Sequence, residues 1–291
     1  MRDLCDIGEG RIAQMDAAGI DMQVVSLTAP GVEQLEAAEA VELARDTNDA
    51  LGEAIAKQPT RLSGFATLPI AAPDQAAKEL ERRFSDQTFA GAVINGHQRG
   101  RYLDDKFFWP VLEAAESLGA PIYLHPTNPP KPVIEASFGG FAPLVTEMLA
   151  GPGFGWHIET AVHVLRMVLG GVFDRFPKLQ IVIGHMREGL PFFMQRVDVI
   201  PVERRNSNVR SARICATICT TPSPALIFRR HFSICCSRSE SAASCSRPTI
   251  LTAQWPSGSM AKARTFLEQI PVSAADRARI AHGNAESLFR L

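Results

Sequence analysis

Two histidines each close a short apolar run. His125 ends Ile122-Tyr123-Leu124 and leads into Pro126-Thr127-Asn128-Pro129-Pro130, and His185 ends Ile181-Val182-Ile183-Gly184 ahead of Met186-Arg187-Glu188-Gly189. A neutral imidazole offers one lone pair and one N–H, so two of them converging on one site are the usual ingredients of a divalent-metal or acid/base centre. Glu188, three residues after His185, is either a partner for it or an acid favoured by the dipole of a helix's first turn. The remaining histidines read as structural. His157 and His163 are six apart, on different faces of a helix, and cannot form an i, i+4 metal pair. His97 follows a strand end as a rim residue, His231 lies in an anomalous stretch, and His282 precedes Gly283, which reads as a helix C-cap.

The two histidines meet only if their strands lie side by side. Met22–Leu27, Leu62–Leu68, Ala90–Asn95, Pro121–His125 and Leu179–His185 are strand-like. Between them lie amphipathic stretches at Arg11–Ala18, Glu33–Lys57, Asp74–Phe84, Asp105–Leu118, Ile158–Leu169 and Glu188–Val197, an alternation typical of parallel α/β folds. Ile214–Thr220 and Thr249–Ala253 are two further strand candidates, and one strand ahead of Met1 would make the eight of a (β/α)8 barrel. The expectation is therefore a single-domain barrel over 1–291, incomplete, with its first strand missing and the region of strands 7 and 8 anomalous. A dinucleotide-binding sheet would need a G-x-G-x-x-G turn, which is absent. In a barrel, chemistry gathers at the C-terminal ends of strands, where His125 and His185 stand.

Composition narrows the class. The chain has 291 residues, 46% hydrophobic, with 30 Lys+Arg against 31 Asp+Glu and a net charge of −1, which supports a packed core and argues against counterion-driven nucleic-acid binding. Its apolar runs are too short to span a bilayer, and Met1 leads into Arg2 and Asp3 rather than a signal segment, so a cytoplasmic protein with no membrane partner is expected.

Residues 204–257 depart from the rest. They hold no Gly, Asp or Lys and a single acid, Glu240, where the chain average would place about six acids. Eight Arg, ten Ser and five of the six Cys crowd into the same stretch. Cys215, Cys219, Cys235, Cys236 and Cys245 match no paired C-x-x-C spacing, which disfavours a zinc cluster. The stretch reads either as a divergent insert or as out-of-frame translation of a GC-rich gene, which favours Ser, Arg, Cys and Pro over Gly, Asp and Lys.

Three segments, Glu159-Thr160-Ala161-Val162-His163-Val164-Leu165-Arg166, Gly171 to Leu179, and Gly184-His185-Met186-Arg187-Glu188-Gly189-Leu190-Pro191, together resemble the amidohydrolase-related family. The resemblance is to its branch of aminocarboxymuconate-semialdehyde, hydroxybenzoate, resorcylate and carboxyvanillate decarboxylases. Asp16 to Asp21, Tyr123-Leu124-His125-Pro126 and Gly283-Asn284-Ala285-Glu286 support it, so it covers residues 5 to about 203 and 258 to 291. The resemblance implies a barrel with one divalent metal, Zn or Mn, at its mouth, a small carboxylic acid as substrate, and a homo-oligomer.

Carried over residue by residue, the resemblance makes His125 the mid-barrel metal ligand, His185 the catalytic or substrate-binding histidine with Glu188 beside it, and Asn128 and Arg187 substrate-binding neighbours. Two family features are missing. No Glu-x-His or His-x-His precedes His125, and the last-strand Asp position before Trp255-Pro256 holds Gln254, a neutral amide and a poor substitute ligand. Arg187 also stands where the family motif has Gly. The resemblance implies a metal-dependent carboxy-lyase of an aromatic or enol-type acid. Alternatives are a metal-dependent hydrolase of a lactone, ester or amide, and a barrel without catalysis.

Overall fold

The computed structural model describes residues 5–85, 88–197, 199–200, 219–220 and 259–291. Six parallel strands follow one another in chain order across one sheet: β1 Gln23–Val25, β2 Leu62–Thr67, β3 Phe89–Asn95, β4 Ile122–His125, β5 Ile181–Ile183 and β6 Cys219–Thr220. Each of the five strands expected before the anomalous stretch is present, with ends within two residues of those expected. Of the two expected inside that stretch, Cys219–Thr220 is described and Thr249–Ala253 lies outside the described residues.

Parallel strands need a crossover, and helices supply it: α1 Glu9–Ala18, α2 Ala37–Lys57, α3 Pro73–Phe84, α4 Trp109–Leu118, α5 Lys131–Ser137, α6 Pro143–Ala150, α7 Gly155–Leu169, α8 Val172–Arg175, α9 Leu190–Val197, α10 Ser259–Gln269, α11 Ala274–Ala278 and α12 Asn284–Phe289. Proline opens α3 and α6, where its missing N–H costs no helical bond. Gly19 closes α1 at φ 64°, its amide on Asp16 O and that of Ile20 on Met15 O. This left-handed cap is why the chain reverses into β1.

Alternation along the strands sorts the core into two faces. Leu62, Ala66, Ala92, Ile94, Ile122, Leu124, Ile181 and Ile183 pack against Leu51, Ile55, Leu80, Val111, Leu112, Val164 and Met167 of the surrounding helices. The opposite, inner face carries Val24, Phe65, Val93 and Val182, with Tyr123 beside them, and is met by Ala285, Leu288 and Phe289 of α12. Phe289 meets Phe65 edge-on, 5.3 Å between ring centroids.

Several expected helices begin or divide differently. The Glu33–Lys57 helix starts only at Ala37, because residues 28–36 form turns that bury Val32 against Ala40 and Ala44. The Asp105–Leu118 stretch divides into a short 3-10 turn, Lys106–Phe108, capped by the Asp105 carboxylate on the Phe107 amide, and then α4. Gly283 is not a C-cap. A π-helical turn, Arg279–Gly283, runs straight into α12. No helix among the described residues is long and apolar enough to cross a membrane.

Candidate functional site

All six strands point the same way, so their C-terminal ends form one edge. Asn95 closes β3 and is the register partner of His125, which closes β4, so both side chains share the parity of the inner face. Gly96, at φ 71°, turns the chain away from β3. A Cβ there would lie 2.2 Å from Thr127 Cγ2, so the loop after β4 can close over it only because the residue is Gly.

His125 is buried and its Nδ1 lies 2.9 Å from the Pro126 carbonyl oxygen. A carbonyl only accepts, so Nδ1 carries the proton and Nε2 keeps its lone pair. Burial, with the neighbouring His185, pushes the imidazolium down to about 4, which leaves the ring neutral at physiological pH. A neutral ring whose other nitrogen donates to a carbonyl is the form in which a histidine ligates a metal.

Beyond β5 the chain makes a 3-10 turn, His185–Arg187, before an α-helix begins. His185, Arg187 and Glu188 have φ of 44°, 69° and 51°, followed by Gly189 at 75°. This left-handed run delays α9 to Leu190 and corrects the placing of Glu188 in a helix's first turn. The macrodipole therefore does not account for its acid. Instead its carboxylate is fully covered and holds two histidines: His185 Nδ1 at 2.6 Å from Oε1, and His157 Nδ1 at 2.5 Å from Oε2. The His125 and His185 rings stand 6.2 Å apart, and the His185 and His157 rings 5.1 Å apart.

His157 is thus in the site, and its reading as structural is corrected. Helical spacing relates it only to His163, on its own helix, whereas its partner comes from the turn after β5. His163 is structural: it is buried, its Nε2 accepts from the Leu103 amide, and burial holds it down to about 3. His97 braces the rim, accepting from the Gly100 amide and donating to Asn128 O. His282 is exposed and paired with Glu286.

Asn128 lies in the loop after β4, where its Oδ1 accepts from Trp156 Nε1 at 2.5 Å. This hydrogen bond ties the loop to α7 and leaves the Asn128 amide N–H groups as its donors. Arg187 is half-buried in the left-handed turn, and its φ explains why the family motif has Gly at that position. Gln254 and His231 lie outside the described residues.

The amidohydrolase family profile matches residues 1–205. The chain belongs to the amidohydrolase family. Within it, the chain sits in the branch of the resorcylate and aminocarboxymuconate-semialdehyde decarboxylases. It is 37% identical over 309 aligned positions to the gamma-resorcylate decarboxylase of Polaromonas sp. (strain JS666), covering 99% of this chain and 89% of that one. Among solved structures, a dihydroxybenzoic acid decarboxylase from Polaromonas sp. JS666 with bound manganese and 2-nitroresorcinol matches with a TM-score of 0.89 at 35% identity, covering 100% of this chain and 88% of that one. A 5-carboxyvanillate decarboxylase from Novosphingobium aromaticivorans, also with manganese, matches at 0.89 and 32%, covering 100% and 82%. The fold is accordingly that of the family's (β/α)8 barrel. The profile match ends at 205, beside the change of composition at 204.

The family holds one divalent metal. The residues described here fit it only in part. His125 has the right protonation and orientation for one ligand. Among the described residues, the His/Cys/Asp/Glu group with ligand atoms within 4.8 Å of one another is His157, His185 and Glu188, and both Nδ1 atoms and the carboxylate are engaged in hydrogen bonds to each other. A complete ligand set is not assembled among the described residues.

Proposed function

We propose that the chain is a carboxy-lyase for small hydroxy-aromatic carboxylic acids. The observation that carries this reading is the His185–Glu188 hydrogen bond at the end of β5, facing His125 at the end of β4. Decarboxylation exchanges a ring carbon–carboxyl bond for a carbon–hydrogen bond, so the substrate needs one proton delivered to the ring carbon as carbon dioxide leaves. With Nδ1–H held by Glu188, His185 is left with Nε2 as the atom that exchanges that proton. Glu188 is balanced by His157, so the site does not repel an anionic substrate through an unpaired carboxylate. A divalent metal, when bound, would polarise the substrate's carboxylate and phenolic oxygens, with His125 among its ligands.

Supporting the reading, the curated and solved relatives above are named as decarboxylases of aromatic acids. The exposed side chains Leu144, Val145 and Met148 of α6 and Val162 of α7 support self-association. The test is carbon dioxide release from 2,6-dihydroxybenzoate with excess manganese, with His185→Asn as control. Release that depends on His185 is expected. Hydrolysis of an aryl ester or lactone without carbon dioxide release would replace this reading with the hydrolase.

A further inference from the structure

The resemblance assigns His157 no role, yet it makes one of the shortest contacts in the site. Its ring nitrogens both face acceptors: Nδ1 lies 2.5 Å from Glu188 Oε2, and Nε2 lies 3.2 Å from the Pro152 carbonyl oxygen. A carbonyl and an ionised carboxylate only accept, so with Glu188 ionised both bonds form together only when the ring carries two protons. His157 sits in the first turn of α7, where the helix dipole disfavours a cation. The compensation comes from Glu188, whose side chain has no solvent exposure and whose other oxygen is taken by His185.

We propose that His157 is a positioning residue for the His185–Glu188 pair. Bridging the Pro152 carbonyl and Glu188 Oε2, it anchors the carboxylate to α7, and the anchored carboxylate sets the orientation and protonated nitrogen of His185. The proposal rests on the reading of His185 as the proton-handling group. The geometry favours it over a metal site made of the same three residues, because N···O separations of 2.5 and 2.6 Å are direct contacts, closer than two donor atoms around one ion would stand. The charged and titratable groups that meet His157 are Glu188 and His185, both from the turn after β5.

Removing His157 leaves Glu188 Oε2 buried without a donor, so the carboxylate must turn or take up a proton, and either change releases His185. A glutamine at 157 keeps an N–H donor for Glu188 without the charge. Losing such an outer partner typically costs about 10-fold to 100-fold in activity.

The experiment uses the full chain labelled with nitrogen-15 in histidine, as wild type, His157→Ala and His157→Gln, each checked for native circular dichroism. At pH 7, the wild type is expected to show both ring nitrogens of His157 protonated, and a slowly exchanging, downfield Nδ1–H on His185. That His185 signal is lost in His157→Ala and kept in His157→Gln. With manganese and 2,6-dihydroxybenzoate, His157→Ala loses at least about tenfold in kcat with little change in KM, and the Gln variant recovers part of it. An unprotonated His157 Nδ1, an unchanged His185 signal in His157→Ala, or displacement of the His157 Nδ1 proton by zinc alone would each overturn the proposal. If no variant or wild type releases carbon dioxide while the NMR pattern holds, the decarboxylase reading fails and the positioning role stands.

Discussion

Glu33 Oε1 lies 2.5 Å from the amide nitrogen of Asn95, and both side chains are sealed from solvent. Glu33 Oε2 and Asn95 Oδ1, two buried acceptors, have no partner among the described residues. A proton on Glu33 removes the charge from a carboxyl that is sealed from solvent. Burial raises the carboxyl to about 7, against the pull of the Asn95 amide toward the ionised form.

The first expectation concerns pH. Below about 4.5 Glu33 is protonated whether the chain is folded or not. Between there and about 7 the folded state keeps a proton that the unfolded chain has released, so stability falls as pH rises through this window. Glu33→Gln is neutral throughout and removes the fall, making the variant more stable at pH 8 by up to about 3 kcal/mol and nearly equal to wild type at pH 4. Urea unfolding at both pH values checks this. Parallel pH curves for the two proteins would show that the carboxyl ionises without cost.

Arg187→Gly addresses the turn after β5. At φ 69° an arginine bears a left-handed backbone cost of about 1 kcal/mol or more that glycine avoids, and glycine's extra freedom in the unfolded chain returns part of it. Thermal unfolding should rise by a few degrees in the variant. A lower midpoint would mean that the contacts of the Arg187 side chain outweigh its backbone strain.

These two positions show what the residues alone could and could not reveal. Strand positions, their parallel order and the pairing of His125 with His185 at one edge were legible, because apolar runs ending in histidine carry both the element and its polarity. His157 was not, since helical periodicity compares a residue only with its own helix, and its partner Glu188 lies 31 residues away. Glu33 was read as the start of a helix. Its burial depends on a long-range contact with Asn95, to which no local pattern points. The left-handed positions between His185 and Gly189 were hidden because three of the four are not glycine.

Metal content follows from ligand counting. His125 offers one neutral nitrogen, the resemblance expects a carboxylate where Gln254 stands, and His185 and His157 are engaged with Glu188. Catalytic zinc sites usually keep three protein ligands. The purified chain, dialysed without chelator, should hold well under one equivalent of zinc or manganese by elemental analysis and release no carbon dioxide until metal is added in excess. Stoichiometric metal that is lost in His125→Ala would show that other residues complete the site.

The change of composition at 204 makes an expectation about the gene. Another reading frame across codons 204–257 should encode Gly and Asp, fewer Cys, and a strand ending in Asp-Trp-Pro or close to it. Sequencing the coding DNA checks it directly. If neither alternative frame restores these residues, the stretch is a divergent insert.

Ala285, Leu288 and Phe289 reach the sheet's inner face, where Phe289 meets Phe65 of β2. The two rings are far apart in the chain, so during synthesis this part of the inner wall waits for α12 to be made. The helices covering the outer face come from neighbouring sequence and can dock as they are made. A growing chain therefore carries one finished and one open side, and the open side is where a chaperone, or a neighbouring unfinished chain, would find Phe65 first.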